Sequence, residues 1–168
     1  MSKTGLKRKG KEKYYTSLAV VKKLLVSYNK IIERNDTDLW IEPSAGNGSF
    51  TSYLGDRNLV AYDIAPEGDN IIKQDFFDLN LDIWSIPLHF IGNPPFGRQS
   101  SIAIQFIKRI TACEKTKSLA FILPKSFKKD SMKRYFPLNY HLEHEEDVDK
   151  DGFTMEGTNI DVPCVFQI

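Results

Sequence analysis

The sequence predicts an α/β domain built on a mostly parallel sheet, and three observations predict it. Short β-type runs alternate with helical stretches, four of the five parallel runs end in polar or glycine-rich loops, and the last two runs have no helix between them. Residues 16–34 place Leu18, Val21, Leu24, Leu25, Tyr28, Ile31 and Ile32 at three-and-four spacing, which is an amphipathic helix with Thr16 or Ser17 as its cap. Leu39-Trp40-Ile41 is a first strand; it meets a glycine turn at residues 42–48, and a helix is expected to start near Ser49. Residues 59–62 form a second strand ending in Asp63, and residues 71–73 a third, followed by Asp75-Phe76-Phe77. A fourth strand at 88–91 runs straight into Gly92-Asn93-Pro94-Pro95-Phe96-Gly97, residues 102–110 are helical, and a fifth strand at 119–123 is stopped by Pro124. Residues 140–146 and 162–168 are expected as two final strands, an antiparallel hairpin at the sheet edge.

A chain of 168 residues is one domain, with helices on both faces of the sheet and room for a substantial core. No apolar run approaches the roughly 18 residues that span a membrane, and the polar, basic start lacks the apolar stretch of a secretory signal. The expectation is therefore an intracellular protein, cytoplasmic or nuclear, without a membrane partner. Cys113 and Cys164 lack metal-ligand spacing and are expected as buried small hydrophobes; His89, His141 and His144 are read as structural, so no metal is expected. The net charge of +1 hides an uneven distribution. Lys3, Lys7, Arg8, Lys9, Lys11 and Lys13 crowd the start, while Glu143, Glu145, Glu146, Asp147, Asp149 and Asp151 crowd the C-terminal part. Residues 1–13 are expected as a flexible basic arm suited to phosphate backbones, and residues 14–168 as the folded domain.

In an open parallel sheet, ligands bind at the carboxyl ends of the strands. Gly46 and Gly48 let a ligand approach the backbone of the first turn, Asp63 is placed to accept from both hydroxyls of a ribose, and Asp75 from an adenine amino group. Phe76 or Phe77 would pack on the purine. A full GxGxxG is missing, which argues against a dinucleotide and fits a phosphate-free cofactor such as S-adenosylmethionine. The sharpest signal is Asn93-Pro94-Pro95-Phe96. Two prolines make the backbone rigid and leave the Pro94 carbonyl free to accept. An amino group on an aromatic ring is a poor nucleophile because its lone pair is delocalised. Accepting one hydrogen bond from each of its N–H groups, at the Asn93 oxygen and the Pro94 carbonyl, favours the pyramidal nitrogen that attacks methyl, while Phe96 stacks on the ring.

These residues resemble the amino-methyltransferase branch of the Rossmann-like S-adenosylmethionine-dependent methyltransferases, adenine-N6 enzymes of DNA and RNA above all. Residues 42–48 look like their first cofactor motif, Asp63 like the ribose-binding acid, Asp75-Phe76 like the adenine-binding pair, and Asn93-Pro94-Pro95-Phe96 like the catalytic (D/N)PP(Y/F) tetrapeptide. Tyr14-Tyr15-Thr16 is similar to a segment that closes over the methionine end, and the resemblance implies that Glu42 lies near the methionine amino group. It implies a cofactor set of Tyr14, Tyr15, Thr16, Glu42, Ser44, Gly46, Gly48, Asp63, Ile64, Asp75 and Phe76, and a three-layer sheet of order 3-2-1-4-5-7-6 with the last strand antiparallel. Sequence-specific DNA enzymes of this branch carry a further recognition region, so specificity is expected from loops, the arm, a protein partner or substrate shape. The run 125–134, with Lys125, Phe127, Lys128 and Lys129, is the candidate substrate track: basic residues beside an aromatic stacking platform. The acidic loop 149–159 is expected to be mobile and is given no role. An unpaired RNA base avoids the cost of base flipping, which tilts the expected target toward RNA. Two alternatives stand beside it: a protein glutamine-amide methyltransferase, and a non-catalytic nucleic-acid-binding subunit.

Overall fold

The computed structural model describes residues 14–168, and the expected arm at 1–13 lies outside the described residues. In chain order the elements are β1 (Tyr15–Thr16), α1 (Leu18–Ile31), β2 (Leu39–Glu42), β3 (Leu59–Asp63), β4 (Ile71–Lys73), β5 (Leu88–Gly92), α2 (Ser101–Thr111), β6 (Thr116–Pro124), β7 (Glu145–Asp147), β8 (Phe153–Met155), β9 (Thr158–Ile160) and β10 (Cys164–Gln167). Seven of these strands form one sheet in the order β4-β3-β2-β5-β6-β10-β7, which is 3-2-1-4-5-7-6 when its members are counted along the chain. The first five are parallel, and β10 runs antiparallel to both β6 and β7. No helix among the described residues is long and apolar enough to cross a membrane.

Strand alternation sorts the core into two layers. Leu39, Ile41, Phe90, Phe121, Leu123 and Val165 face the side covered by α2, through Phe106, Ile107 and Ile110. Trp40, Ile91, Ala120, Ile122 and Phe166 face the side covered by α1, through Val20, Val21, Leu24, Leu25 and Tyr28. Ser17 caps α1 by accepting from the Val20 amide at 3.4 Å, and Cys113 and Cys164 are buried and unpaired.

Three expectations are corrected. The helix near Ser49 is a single 3₁₀ turn at Thr51–Tyr53, because Gly55, at φ 71°, ends it four residues before β3 begins at Leu59. The strand at 140–146 is only Glu145–Asp147, where pairing with β10 begins; the preceding residues are irregular. The segment 149–159, expected as a mobile loop, contains β8 and most of β9. Glu156 and Gly157 between them both have positive φ, 49° and 80°, as a two-residue type I′ turn requires. This hairpin pairs with β1 to make a second, three-stranded sheet.

At the amino ends of the strands lies a polar cluster. His89 is hydrogen-bonded to Ser118 Oγ through Nδ1 at 2.7 Å and to Asp38 Oδ2 through Nε2 at 2.9 Å, all three being buried. Its ring stacks on Trp40 at 4.5 Å, and the Trp40 indole N–H donates to Tyr28 Oη at 2.9 Å. This Ser-His-Asp grouping is a structural clamp: it sits at the opposite end of the sheet from the ligand-binding edge, and its hydrogen bonds satisfy polar groups inside the core. Burial holds the His89 imidazole below its ordinary value of 6.5, with Asp38 opposing. Below that value the unfolded chain takes up a proton that the folded chain does not, so stability falls as pH drops through that window. Thermal melts between pH 5 and 7 should show the midpoint of the wild type rising relative to that of His89→Gln as pH increases, and a pH-independent difference would contradict the assignment.

Candidate active site

The carboxyl ends of β2, β3 and β5 open onto one side of the sheet, and each ends in a residue singled out by the sequence. Glu42 is 2 % exposed, and its Oε2 accepts from the Thr51 amide at 2.9 Å and from the Thr51 hydroxyl. Burial pushes its carboxyl up to about 8, against the Thr51 hydrogen bonds and with a further push from the Asp63 charge. Across the β2–β5 pair, a Cβ on Gly92 would stand 3.3 Å from Glu42 Cγ, at a φ of 148°, so this strand end admits glycine and little else.

The turn after β2 is tied down by Asp63. Its Oδ2 accepts from the Gly46 amide and its Oδ1 from the Ala65 amide, both at 2.8 Å. Each oxygen is thus engaged once by backbone and keeps a further lone pair for a ligand. Tyr15 covers the turn from the other side: Gly46 sits at φ 56° with the Tyr15 ring 3.8 Å from where a Cβ would be. Tyr15 Oη donates to Glu67 Oε2 at 2.5 Å, and the Glu67 amide donates to the Gly46 carbonyl at 2.9 Å. Burial, then the Glu67 hydrogen bond, raises the Tyr15 phenol to about 12. Tyr14 and Ile64 are exposed beside these loops, Ile64 offering an apolar side chain next to Asp63.

Asn93, half-buried, follows β5 directly. Its backbone carbonyl accepts from Ser44 Oγ at 3.2 Å, and its Nδ2 donates to Thr16 Oγ1 at 3.2 Å. Among the described residues, no donor reaches the Asn93 side-chain oxygen or the Pro94 carbonyl. The far end of the tetrapeptide is anchored on the first turn of α2, where the Ile102 and Ala103 amides donate to the Phe96 carbonyl at 3.1 and 3.3 Å. The half-buried Phe96 packs against both core layers, and Gln99 and Ser100 beyond it are held at positive φ, 52° and 63°. Left-handed non-glycine backbone of this kind costs on the order of 1–3 kcal/mol per residue and clusters at functional loops.

The structure therefore gathers Tyr15, Thr16, Glu42, Ser44, Gly46, Asp63 and Asn93 in direct or one-step contact. Other residues it spends elsewhere. Phe76 is 2 % exposed in the core between Phe90 and Phe106, so its ring has no free face for a purine. Phe77 packs edge-on against Phe106, and Asp75 Oδ1 caps the turn by accepting from the Phe77 amide at 2.9 Å. The expected substrate track is corrected in the same way. Phe127 is 4 % exposed in the core, so it is no stacking platform. Lys125 and Lys128 reach Asp147 of β7 at 3.1 and 2.9 Å, while Lys129 stays exposed. Sequence reasoning missed two features: the hydrogen bond from Asn93 to Thr16, for which residues 77 apart give no signal, and the hairpin β8–β9, whose Glu156-Gly157 turn between β-type triplets was the available sign. Arg98, exposed immediately after the tetrapeptide, was also passed over.

No protein-family model matches the chain, and no curated protein matches it in sequence. Solved structures do match. A protein of Listeria monocytogenes described as a candidate class I S-adenosylmethionine-dependent methyltransferase superposes with a TM-score of 0.61 at 14% identity, over 90% of this chain and 60% of the other. A Pyrococcus horikoshii protein described as a candidate RNA methyltransferase gives 0.65 at 16% identity, over 95% and 89%. A chain of the Pnkp1/Rnl/Hen1 RNA repair complex gives 0.52 at 13% identity, over 92% and 43%. The likeness is one of fold: this chain has the Rossmann-like α/β fold found in class I methyltransferases, and it spans 60% of the length of the Listeria protein.

The raised Glu42 carboxyl has a measurable consequence. The folded chain keeps its proton up to about 8, whereas the unfolded chain releases it near 4.5, so this contribution to stability is full below 4.5 and lost as pH rises to about 8. Glu42→Gln is neutral throughout. Its melting midpoint should gain on the wild type steadily from pH 5 to 8, and a pH-independent difference would contradict the assignment.

Proposed function

We propose that this protein is an S-adenosylmethionine-dependent methyltransferase acting on an exocyclic amine, with adenine N6 of nucleic acid as its target and an unpaired RNA base as the first choice. The observation that carries the reading is the pair of acceptors on one rigid loop. The Asn93 side-chain oxygen and the Pro94 carbonyl have no donor among the described residues, and both lie directly after the strand that packs beside Glu42.

The residues fit the cofactor in chemical type. The Asp63 carboxylate at the end of β3 suits ribose hydroxyls and would meet the oxygens of a pyrophosphate with like charge, while Glu42 at the end of β2, its carboxyl raised by burial, suits a cationic amine whose charge would draw off its proton. S-adenosylmethionine, when bound, supplies a methyl group on an electrophilic sulfonium. Glu42 and Asp63 would hold the methionine amine and the ribose, with Tyr15 and Ile64 beside them. Asn93 and Pro94 would then accept the two N–H groups of the target amine, which holds the nitrogen lone pair out of conjugation with the ring, and Phe96 would hold the plane of the base. No strong general base is needed, because the displacement depends on alignment and on relieving delocalisation.

RNA is favoured over protein by two considerations. Two of the structural neighbours are described in RNA terms, one as a candidate RNA methyltransferase and one as part of an RNA repair complex. Lys129, Arg98 and the basic residues at 1–13 are the cations proposed to meet phosphates, in preference to Lys125 and Lys128, which share ion pairs with Asp147 and Glu145.

Methyl-labelled S-adenosylmethionine incubated with RNA, DNA and protein fractions, followed by mass-spectrometric nucleoside analysis, should give N6-methyladenine in nucleic acid. Label confined to protein would sink the reading. Asn93→Ala should lower turnover by about 10²–10³ with cofactor affinity by calorimetry unchanged, whereas Asp63→Ala should chiefly weaken cofactor binding.

A further inference from the structure

We propose that Thr16 is a positioning residue for Asn93, and that the hairpin β8–β9 is the scaffold that keeps it in place; this rests on reading Asn93 as an acceptor for the substrate amine. A carboxamide can receive an amine N–H only if its plane and its oxygen are presented to the incoming nitrogen. The two prolines stiffen the backbone after Asn93 but leave its side-chain torsions free, and the last of these is intrinsically broad. The backbone on the near side is held by Ser44, through the 3.2 Å bond to the Asn93 carbonyl. The side chain is held by Thr16 Oγ1, which accepts from Nδ2 at 3.2 Å and leaves the opposite end of the amide, the oxygen, without a donor among the described residues.

Thr16 reaches that point because of a segment far along the chain. A two-residue strand has no stability of its own. β1 exists by pairing with β8, Tyr15 opposite Thr154 and Thr16 opposite Phe153, and the Ser17 amide extends the pairing by donating to the Gly152 carbonyl at 2.8 Å. Phe153 is 1 % exposed and belongs to the core layer under α1, so the hairpin is nailed to the domain at the residue facing Thr16. Lys23 on α1 adds an exposed ion pair to Asp149 at 2.8 Å, just before the hairpin. Successive residues of β1 point to opposite sides, so Tyr15 covers the Gly46 turn while Thr16 holds Asn93. One short strand thereby ties the cofactor loop and the acceptor amide together.

The test uses Thr16→Val, which keeps shape and strand preference and deletes the acceptor, and Thr16→Ser, which keeps the acceptor. With methyl-labelled S-adenosylmethionine and a single-stranded adenine-containing RNA oligonucleotide, Thr16→Val should lower kcat by about ten- to a hundredfold, the range for losing one positioning hydrogen bond. KM for the oligonucleotide and the melting midpoint should stay near wild type, and Thr16→Ser should recover most of the rate. In an Asn93→Ala background the Val substitution should cost nothing further, because what it positions is gone. A wild-type kcat in Thr16→Val, no recovery with Ser, or an equal loss in the Asn93→Ala background would each overturn the proposal. A readout independent of turnover is the side-chain ¹⁵N–¹H₂ resonance pair of Asn93 in the full chain. Thr16→Val should shift it and raise its mobility, and an unchanged pair refutes the contact even if no substrate is found. Full turnover in Asn93→Ala would instead remove the reading of Asn93 and leave the Thr16 resonance result standing.

Discussion

The parallel register of β2 against β5, with Leu39 opposite Leu88, Trp40 opposite His89 and Ile41 opposite Phe90, is the constraint on which the rest of the molecule depends. At one end it stacks His89 on Trp40 and brings Asp38 and Ser118 to the two imidazole nitrogens. At the other end it sets Glu42 beside Gly92, and therefore beside the loop that begins at Asn93. A slip of β2 by one residue would turn Leu39 and Ile41 from the α2 side to the α1 side while Phe90 stayed, and would separate every one of these pairs. Core packing and site geometry are thus two consequences of one strand pairing.

The two ends differ in how their polar groups are satisfied. The clamp around His89 is closed: its ring nitrogens and the Trp40 indole have partners, and its lowered basicity follows from burial. The Asn93 end is open: among the described residues no donor reaches its side-chain oxygen or the Pro94 carbonyl. Glu42, its carboxyl raised by burial, is the intermediate case, held by Thr51 yet costly to ionise. Buried polar groups that are fully paired stabilise a fold, and those left half-paired at a strand end mark where a ligand would complete them.

The small sheet β1-β8-β9 shows how little of a site need be local. Tyr15 and Thr16 stand more than 50 residues before the tyrosine's partner Glu67, more than 70 before Asn93 and more than 130 before the strand that holds them. The same holds at the sheet edge, where Asp147 of β7 takes up Lys125 and Lys128. A basic run read along the chain becomes an ion-paired edge once the neighbouring strand is in place, and Phe127 within it turns inward to the core.

The sequence by itself determined the fold class and the residues at the strand ends, because side-chain periodicity, glycine turns and proline pairs act through local sterics that each stretch of chain carries with it, whereas the strand order was implied only by the resemblance to a known family. It placed Glu42, Asp63 and Asn93 correctly at the carboxyl ends of β2, β3 and just beyond β5 for that reason. Only the tertiary structure decided what each of them touches. That Phe76 is core, that Asp63 pins the Gly46 turn, that His89 has Asp38 and Ser118 as partners and that Thr16 meets Asn93 are facts of packing between distant segments. Such contacts depend on the summed geometry of the intervening chain, which no local pattern encodes.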